Sequence, residues 1–202
     1  MSLSRITKKL LPRAVKRLIV LDLMGGRRQC DALRSRPSRR FLEREILPWL
    51  AGKFDRVLFV GTAPYTYQFE RLFRRVRGQY TTIDPVGGTA VWGARQHIIA
   101  PIQEIGRHRP AGHFDCIVLN GIFGFGIDDR DEQRATLKIL HDALSPGGLL
   151  LVGWNTNLMP DLEELGLFEP FFVAAEGLPW SHRTRFDLPE THVYDFYRRR
   201  PA

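Results

Sequence analysis

Cysteine is scarce: the 202 residues hold two, Cys30 and Cys116. They form no CxxC pair and no metal-ligand spacing, which argues against a disulfide framework or a zinc site. Cys116 lies in an apolar run and reads as a small buried hydrophobe. A reducing cytoplasm is the compartment this usage implies. Long apolar runs are lacking too. The run Leu18 to Met24 is too short to cross a membrane and contains Asp22. It follows basic residues, as a secretory signal would, but no long apolar core or small-residue cleavage site comes after it. The chain also has little acid near its start. Residues 1–50 carry 13 of the 30 Lys/Arg but 4 of the 22 Asp/Glu.

The net charge of +8 therefore belongs to the first quarter, and the remainder is close to balanced. Two readings stay open for the basic segment: a solvated face, or an arm for nucleic acid or an anionic membrane surface. At 44% hydrophobic and 26% charged, the chain reads as globular. Its length suits one domain with a terminal extension. We expect a basic N-terminal extension over 1–50 with a helix near 38–50, and the main domain over 51–202. In that helix Ser38 is the expected cap, and Phe41, Leu42, Ile46, Trp49 and Leu50 share one apolar face. It would pack on the domain or help cover a ligand cleft.

From Arg56 the rhythm is strand–helix–strand. "RVLFV" is a buried strand over 56–60, with a helix expected over 66–77 because Phe69, Leu72, Phe73 and Val76 recur at helical spacing. "QYTTIDP" and "QHIIAPI" read as the next two strands, and "HFDCIVLNGIF" as the fourth. A helix follows from about Asp129, where Glu132 completes a capping-box pattern, to Leu144. "SPGG" stops it, and "LLLVGWN" is a fifth strand. "PDLEELGLF" suggests one more helix, and "THVYDFYRRR" a final strand, antiparallel. The expected fold is α/β: a doubly wound, mostly parallel sheet with helices on both faces.

Ligands of such sheets lie outside the carboxyl ends of the strands. Gly61 ends the first strand, where a missing Cβ permits a sharp turn and a close ligand approach. Asp84 ends the second, 23 residues later, where a carboxylate can accept from ribose hydroxyls. The fourth ends in "NGIFGFG", with Phe123 and Phe125 offering flat apolar surface. Each also has a plainer reading: a tight turn, an exposed Asp-Pro and core packing.

The order "VLFVGT…IDP…FDCIVLNGIF…LSPGGLLLVGWN" resembles the class I S-adenosylmethionine-dependent methyltransferases, over about Arg56 to Asn155. "LSPGG" ahead of an apolar strand and the "Phe114-Asp115" opening are its most telling pieces. The resemblance implies S-adenosylmethionine as cofactor. It implies that Gly61, Thr62 and Ala63 line its amino-acid end, Asp84 holds its ribose, Pro101 and Ile102 flank adenine, and Asn120 and Gly121 face its methionine portion. The loop departs from the family in reading "GTAPYT", with fewer glycines than usual. Tyr65 could offer a hydroxyl or a flat wall instead. The acidic residue often found after the third strand is missing, leaving Pro101 and Gln103. G-x-G-x-x-G is absent, which argues against a pyrophosphate-bearing dinucleotide.

Methyl transfer needs alignment of donor and acceptor, and a base only if the acceptor loses a proton. Asn-Pro-Pro-aromatic is absent, since Asn120 is followed by Gly-Ile-Phe. His182, in "LPWSHRTRF", is the best candidate base, and Arg183 and Arg185 could receive an anionic substrate. His97 and His192 fall at strand starts, a poorer location. The expected function is methyl transfer to a small molecule or glycan precursor. The alternative is a non-catalytic methyltransferase-like protein that docks through its basic segment on nucleic acid or an anionic membrane.

Overall fold

Side chains that alternate along a central parallel strand must find cover on both faces, and strand β1 (Arg56–Val60) is built that way. Val57 and Phe59 point into one apolar layer, Leu58 and Val60 into the other, and all four are buried. The computed structural model describes residue 30, residues 32–73 and residues 79–201. The basic segment before residue 30 lies outside the described residues. Residues 32–34 are helical, and after a turn helix α1 follows, as α-helical Pro37–Phe41, a π turn at Leu42–Ile46 and α-helical Leu47–Lys53. After β1 come a 3-10 turn at Pro64–Gln68 and α2 (Glu70–Phe73). Then follow β2 (Gln79–Asp84), a 3-10 segment at Gly87–Trp92, β3 (Gln96–Ile99), a 3-10 turn at Ile102–Glu104 and α3 (Ile105–His108). The remainder is β4 (Phe114–Asn120), α4 (Arg130–Ala143), β5 (Leu144–Asn155), β6 (Phe172–Ala174), β7 (Arg183–Thr184) and β8 (His192–Arg199).

The sheet order is β3-β2-β1-β4-β5-β8-β6, with β7 also paired to β8. The strands β1 to β5 pair in parallel, whereas β8 runs antiparallel to β5. This is the doubly wound sheet with an antiparallel last strand that the sequence implies. The order reverses between β1 and β4, so a crevice opens at their carboxyl ends. One layer packs α3 and α4 on the sheet through Ile105, Leu137 and Leu140. The other packs α1 and α2 through Leu42, Ile46, Leu50, Phe69 and Phe73, with Cys116 fully buried among them. Among the described residues no helix is long and apolar enough to cross a membrane.

Several local expectations are corrected. Pro37 opens α1 with Arg36 at the cap position, and Ser38 is a buried residue inside the first turn that makes no capping bond. The π turn lies just before Pro48, whose ring would otherwise meet the carbonyl four residues back. The helix expected over 66–77 begins as 3-10. Thr66 Oγ1 lies 2.9 Å from Ala63 O and 3.2 Å from Trp92 O, and this bonding holds the first turn tight. Its last residues, 74–78, fall outside the described residues. The third strand stops at Ile99, before Pro101, which has no N–H for a ladder. Residues 161–166 form turns rather than a helix, since the Asp161 carboxylate is held by Arg183 and Arg185 and the segment ends at Gly166 with φ +62°. Asp129 does cap α4, accepting from the N–H groups of Asp131 and Glu132 at 3.0 Å each.

A buried charge network joins β5, β7 and β8. Asp195 has no exposure, and its carboxylate accepts from Trp154 Nε1 at 2.7 Å and from Arg183 Nε and Nη2 at 2.6 and 2.9 Å. Arg183 Nη1 also reaches Asp161 at 2.8 Å. Arg183 and Arg185 are thus engaged by carboxylates, and the anion-receiving role expected of them is withdrawn. Removing one partner leaves the others buried and uncompensated. Asp195→Ala is expected to lower stability by about 3–5 kcal/mol, measured by urea unfolding.

Candidate functional site

The carboxyl ends of β4 and β5 meet the amino end of β8 at a cavity of about 260 Å³. Asn120 and Gly121 come from β4 and the turn after it, Asn155 from β5, and His192 and Tyr194 from β8. Residues before and within α1 (Leu33, Arg36, Ser38, Arg39) and the 3-10 residue Tyr65 form the opposite wall. Glu190 and Phe125 complete the lining. Phe125 is 60% exposed, whereas Phe123 is buried in the core.

Gly153 makes the floor possible. It faces Asn120 across the β4–β5 pairing and Tyr194 across the β5–β8 pairing. A Cβ on Gly153 would lie 2.0 Å from Asn120 Oδ1 and 2.8 Å from His192 Nε2. In the space left open, His192 Nε2 lies 3.0 Å from Asn120 Oδ1, and His192 Nδ1 lies 2.9 Å from Asn155 Oδ1. Burial, reinforced by the positive charges of Arg39 and Arg36, lowers the His192 pKa to about 3. The imidazole is therefore neutral, with one donor and one acceptor nitrogen. One of the two amides must then turn its NH2 group toward the ring. Burial also pushes the Tyr194 phenol up, and its hydroxyl donates to Ser38 O at 3.2 Å.

Of the residues expected from the sequence, the cavity brings together Tyr65, Asn120 and Gly121. Gly61, Thr62, Ala63 and Asp84 lie at the neighbouring ends of β1 and β2. Gly61 has φ +83°, and a Cβ there would meet Ile122 Cδ1 at 3.0 Å. Asp84 Oδ2 accepts from Thr62 N–H at 2.7 Å, with Thr62 Oγ1 at 3.3 Å, and Asp84 Oδ1 accepts from Val86 N–H at 2.8 Å. The carboxylate thus ties the β1 loop to the end of β2 and keeps about one of its four lone-pair sites for anything else. Pro101 is exposed and Ile102 is a core residue beyond β3. His182 sits outside the cavity lining, with Nε2 3.5 Å from Glu163 Oε1.

His192 is the residue whose location the sequence undervalues. A strand start is remote from the ligand edge when the strand runs parallel. In an antiparallel strand the start lies at the carboxyl ends of its neighbours. The expected antiparallel β8 carried that signal. Arg36 and Arg39 had a fainter one, in the expectation that the first helix helps cover the cleft.

Neither a family model nor a curated protein sequence matches the chain. Solved structures do. The N-methyltransferase NodS from Bradyrhizobium japonicum WM9 superposes with a TM-score of 0.62 at 16% identity, covering 83% of this chain and 99% of that one. The 1,6-didemethyltoxoflavin-N1-methyltransferase of Burkholderia thailandensis, solved with bound 1,6-didemethyltoxoflavin and S-adenosylhomocysteine, gives 0.61 at 18% identity, over 92% of this chain and 88% of that one. The TehB-like methyltransferase of Corynebacterium glutamicum gives 0.54 at 12% identity, over 72% and 80%. The chain has the class I S-adenosylmethionine-dependent methyltransferase fold.

Two outcomes follow from the floor. Gly153→Ala is expected to destabilise the protein by about 1–3 kcal/mol, the usual range for overpacking, in urea unfolding. The lowered His192 pKa fixes the sign of a pH effect. The unfolded state takes up a proton near pH 6.5 that the folded state refuses until about pH 3. The stabilisation is complete above pH 6.5 and falls by about 1.4 kcal/mol per pH unit as the pH drops through that window. Unfolding of His192→Gln between pH 4.5 and 6.5 should show a slope shallower by that amount.

Proposed function

We propose that this protein is an S-adenosylmethionine-dependent methyltransferase acting on a small molecule or a glycan precursor. The observation that carries this reading is a cavity at the carboxyl ends of β4 and β5, one strand over from the reversal between β1 and β4, with a glycine loop and a carboxylate at the ends of β1 and β2 on its other side. Support for a small acceptor comes from the Burkholderia thailandensis enzyme, whose structure holds 1,6-didemethyltoxoflavin.

The residues present fit the cofactor. At Gly61 the backbone takes φ +83° and turns sharply out of β1 with Ile122 packed close against it, so the β1 loop can present its backbone to a ligand's amino-acid end. Val86 and Ile99, each 58% exposed, leave apolar surface at the ends of β2 and β3 where a purine can lie. Asp84 offers its remaining lone pair to a ribose hydroxyl, and Asn120 and Gly121 face the methionine portion. When bound, the cofactor supplies an electrophilic methyl group on a sulfonium sulfur.

The chain's own contribution is alignment and exclusion of water. Tyr65, Phe125 and Tyr194 wall the cavity, and Asn120 is held in place by neutral His192. His192 is thus a positioning residue, with both ring nitrogens already committed to amides.

Calorimetric titration of the full chain with S-adenosylmethionine and S-adenosylhomocysteine tests the reading. Saturable binding of both is expected, with affinity at least tenfold lower in Gly61→Val, and labelled methyl should pass to a low-mass component of a cell extract. Absence of binding by either ligand at millimolar concentration would reject it.

A further inference from the structure

One group in the cavity lacks the partner that its burial demands. Arg39 Nη1 is shielded from solvent and makes no hydrogen bond. Its guanidinium lies over the Tyr65 ring, 3.8 Å from the centroid. The nearby carboxylates are occupied elsewhere or withheld. Glu190 lies 3.9 Å from Arg36 Nη1 and accepts weakly from His192 N–H at 3.4 Å. Glu43, one helical turn beyond Arg39, has Oε2 3.9 Å from Arg34, and its Oε1 is likewise buried without a hydrogen bond. A buried guanidinium N–H without an acceptor costs the desolvation of a charged donor. It also stands ready to bind one. Stacking on Tyr65 fixes the plane of the fork, so little freedom remains to be lost when an acceptor arrives.

We propose that Arg39 receives a carboxylate of the methyl-acceptor substrate, with Arg36 beside it and Tyr65, Phe125 and Tyr194 enclosing a flat ring. This assignment of substrate class rests on the methyltransferase reading. Charge favours a monoanion. The lining holds two arginines and Glu190, His192 is neutral, and Glu43 outside the lining feels Arg39 as its strongest positive charge, so the site is at most singly positive. A carboxylate matches it. A phosphate dianion would leave excess negative charge beside Glu190. The cavity of about 260 Å³ must also admit the cofactor's methionine end at Asn120 and Gly121, which leaves space for no more than a small aromatic acid.

The test uses the full chain saturated with S-adenosylhomocysteine and three probes: benzoate, benzamide and phenyl phosphate, followed by calorimetry. Benzoate should bind saturably, with benzamide at least tenfold weaker and phenyl phosphate weaker than benzoate. Arg39→Met should lower benzoate affinity at least tenfold, leave S-adenosylhomocysteine affinity unchanged and not lower the thermal midpoint. Arg39→Lys, which keeps the charge and loses the fork, should fall between them. Equal binding of benzoate and benzamide by the unaltered protein overturns the proposal without any variant. So does tighter binding of phenyl phosphate. If Arg39→Met loses S-adenosylhomocysteine but retains 5′-methylthioadenosine, which has no carboxylate, the arginine holds the cofactor instead and the proposal falls. If the unaltered protein binds benzoate through Arg39 but never binds S-adenosylhomocysteine, the carboxylate site stands and the methyltransferase reading falls.

Discussion

The absence of one Cβ, at Gly153, decides what the ligand edge of this sheet can be. Any larger residue would occupy the space where Asn120 and His192 meet. With that space open, three strands are joined at their ends by side chains as well as by the ladder. The polar floor that results is buried at Asn120 and half-buried at Asn155 and His192, and buried polar groups hold their geometry only when each is satisfied. The imidazole answers that demand twice, once to each asparagine. The fold therefore fixes Asn120 at the cavity without using any loop to do so.

A second constraint separates the two sets of arginines. Arg183 is surrounded by Asp195, Asp161 and Glu163, so its charge is consumed in holding β7 and the 161–166 turns against the sheet. Arg39 stands on α1 with an aromatic ring beneath it and no carboxylate in hydrogen-bonding range. Both are partly buried cations near the same end of the sheet. Their surroundings make one a structural tie and leave the other able to meet a ligand.

The sheet was legible because continuous apolar strands and helical spacing are long-range patterns that packing enforces. The βα rhythm from Arg56 to Asn155 and the antiparallel last strand appear in the structure, whereas α4 ends already at Ala143 and "SPGG" falls inside β5 rather than between helix and strand. Short segments were less legible, because single side chains decide them. Thr66 tightens a turn into 3-10, Pro101 ends a strand, and Asp161 is drawn off to two arginines. At the cavity, Asn120, Gly121 and Tyr65 could be picked from strand ends alone. His192, Arg36 and Arg39 could not, since their approach depends on strand direction and on how α1 lies across the sheet. Asp84 occupies the expected strand end, yet its carboxylate is engaged by the N–H groups of Thr62 and Val86, which no spacing rule reveals.

The bond from Tyr194 to Ser38 O spans 156 residues of sequence. One wall of the cavity is thus made well before its opposite side. Chains emerge from the ribosome at about 5–20 residues per second, so α1 waits without its partner while the parallel strands are added. Through that interval its apolar face, Leu42, Ile46 and Leu50, has only part of its eventual cover. The site is complete only once β8 has slid in beside β5, which makes the last strand of the sheet the keystone for the first helix.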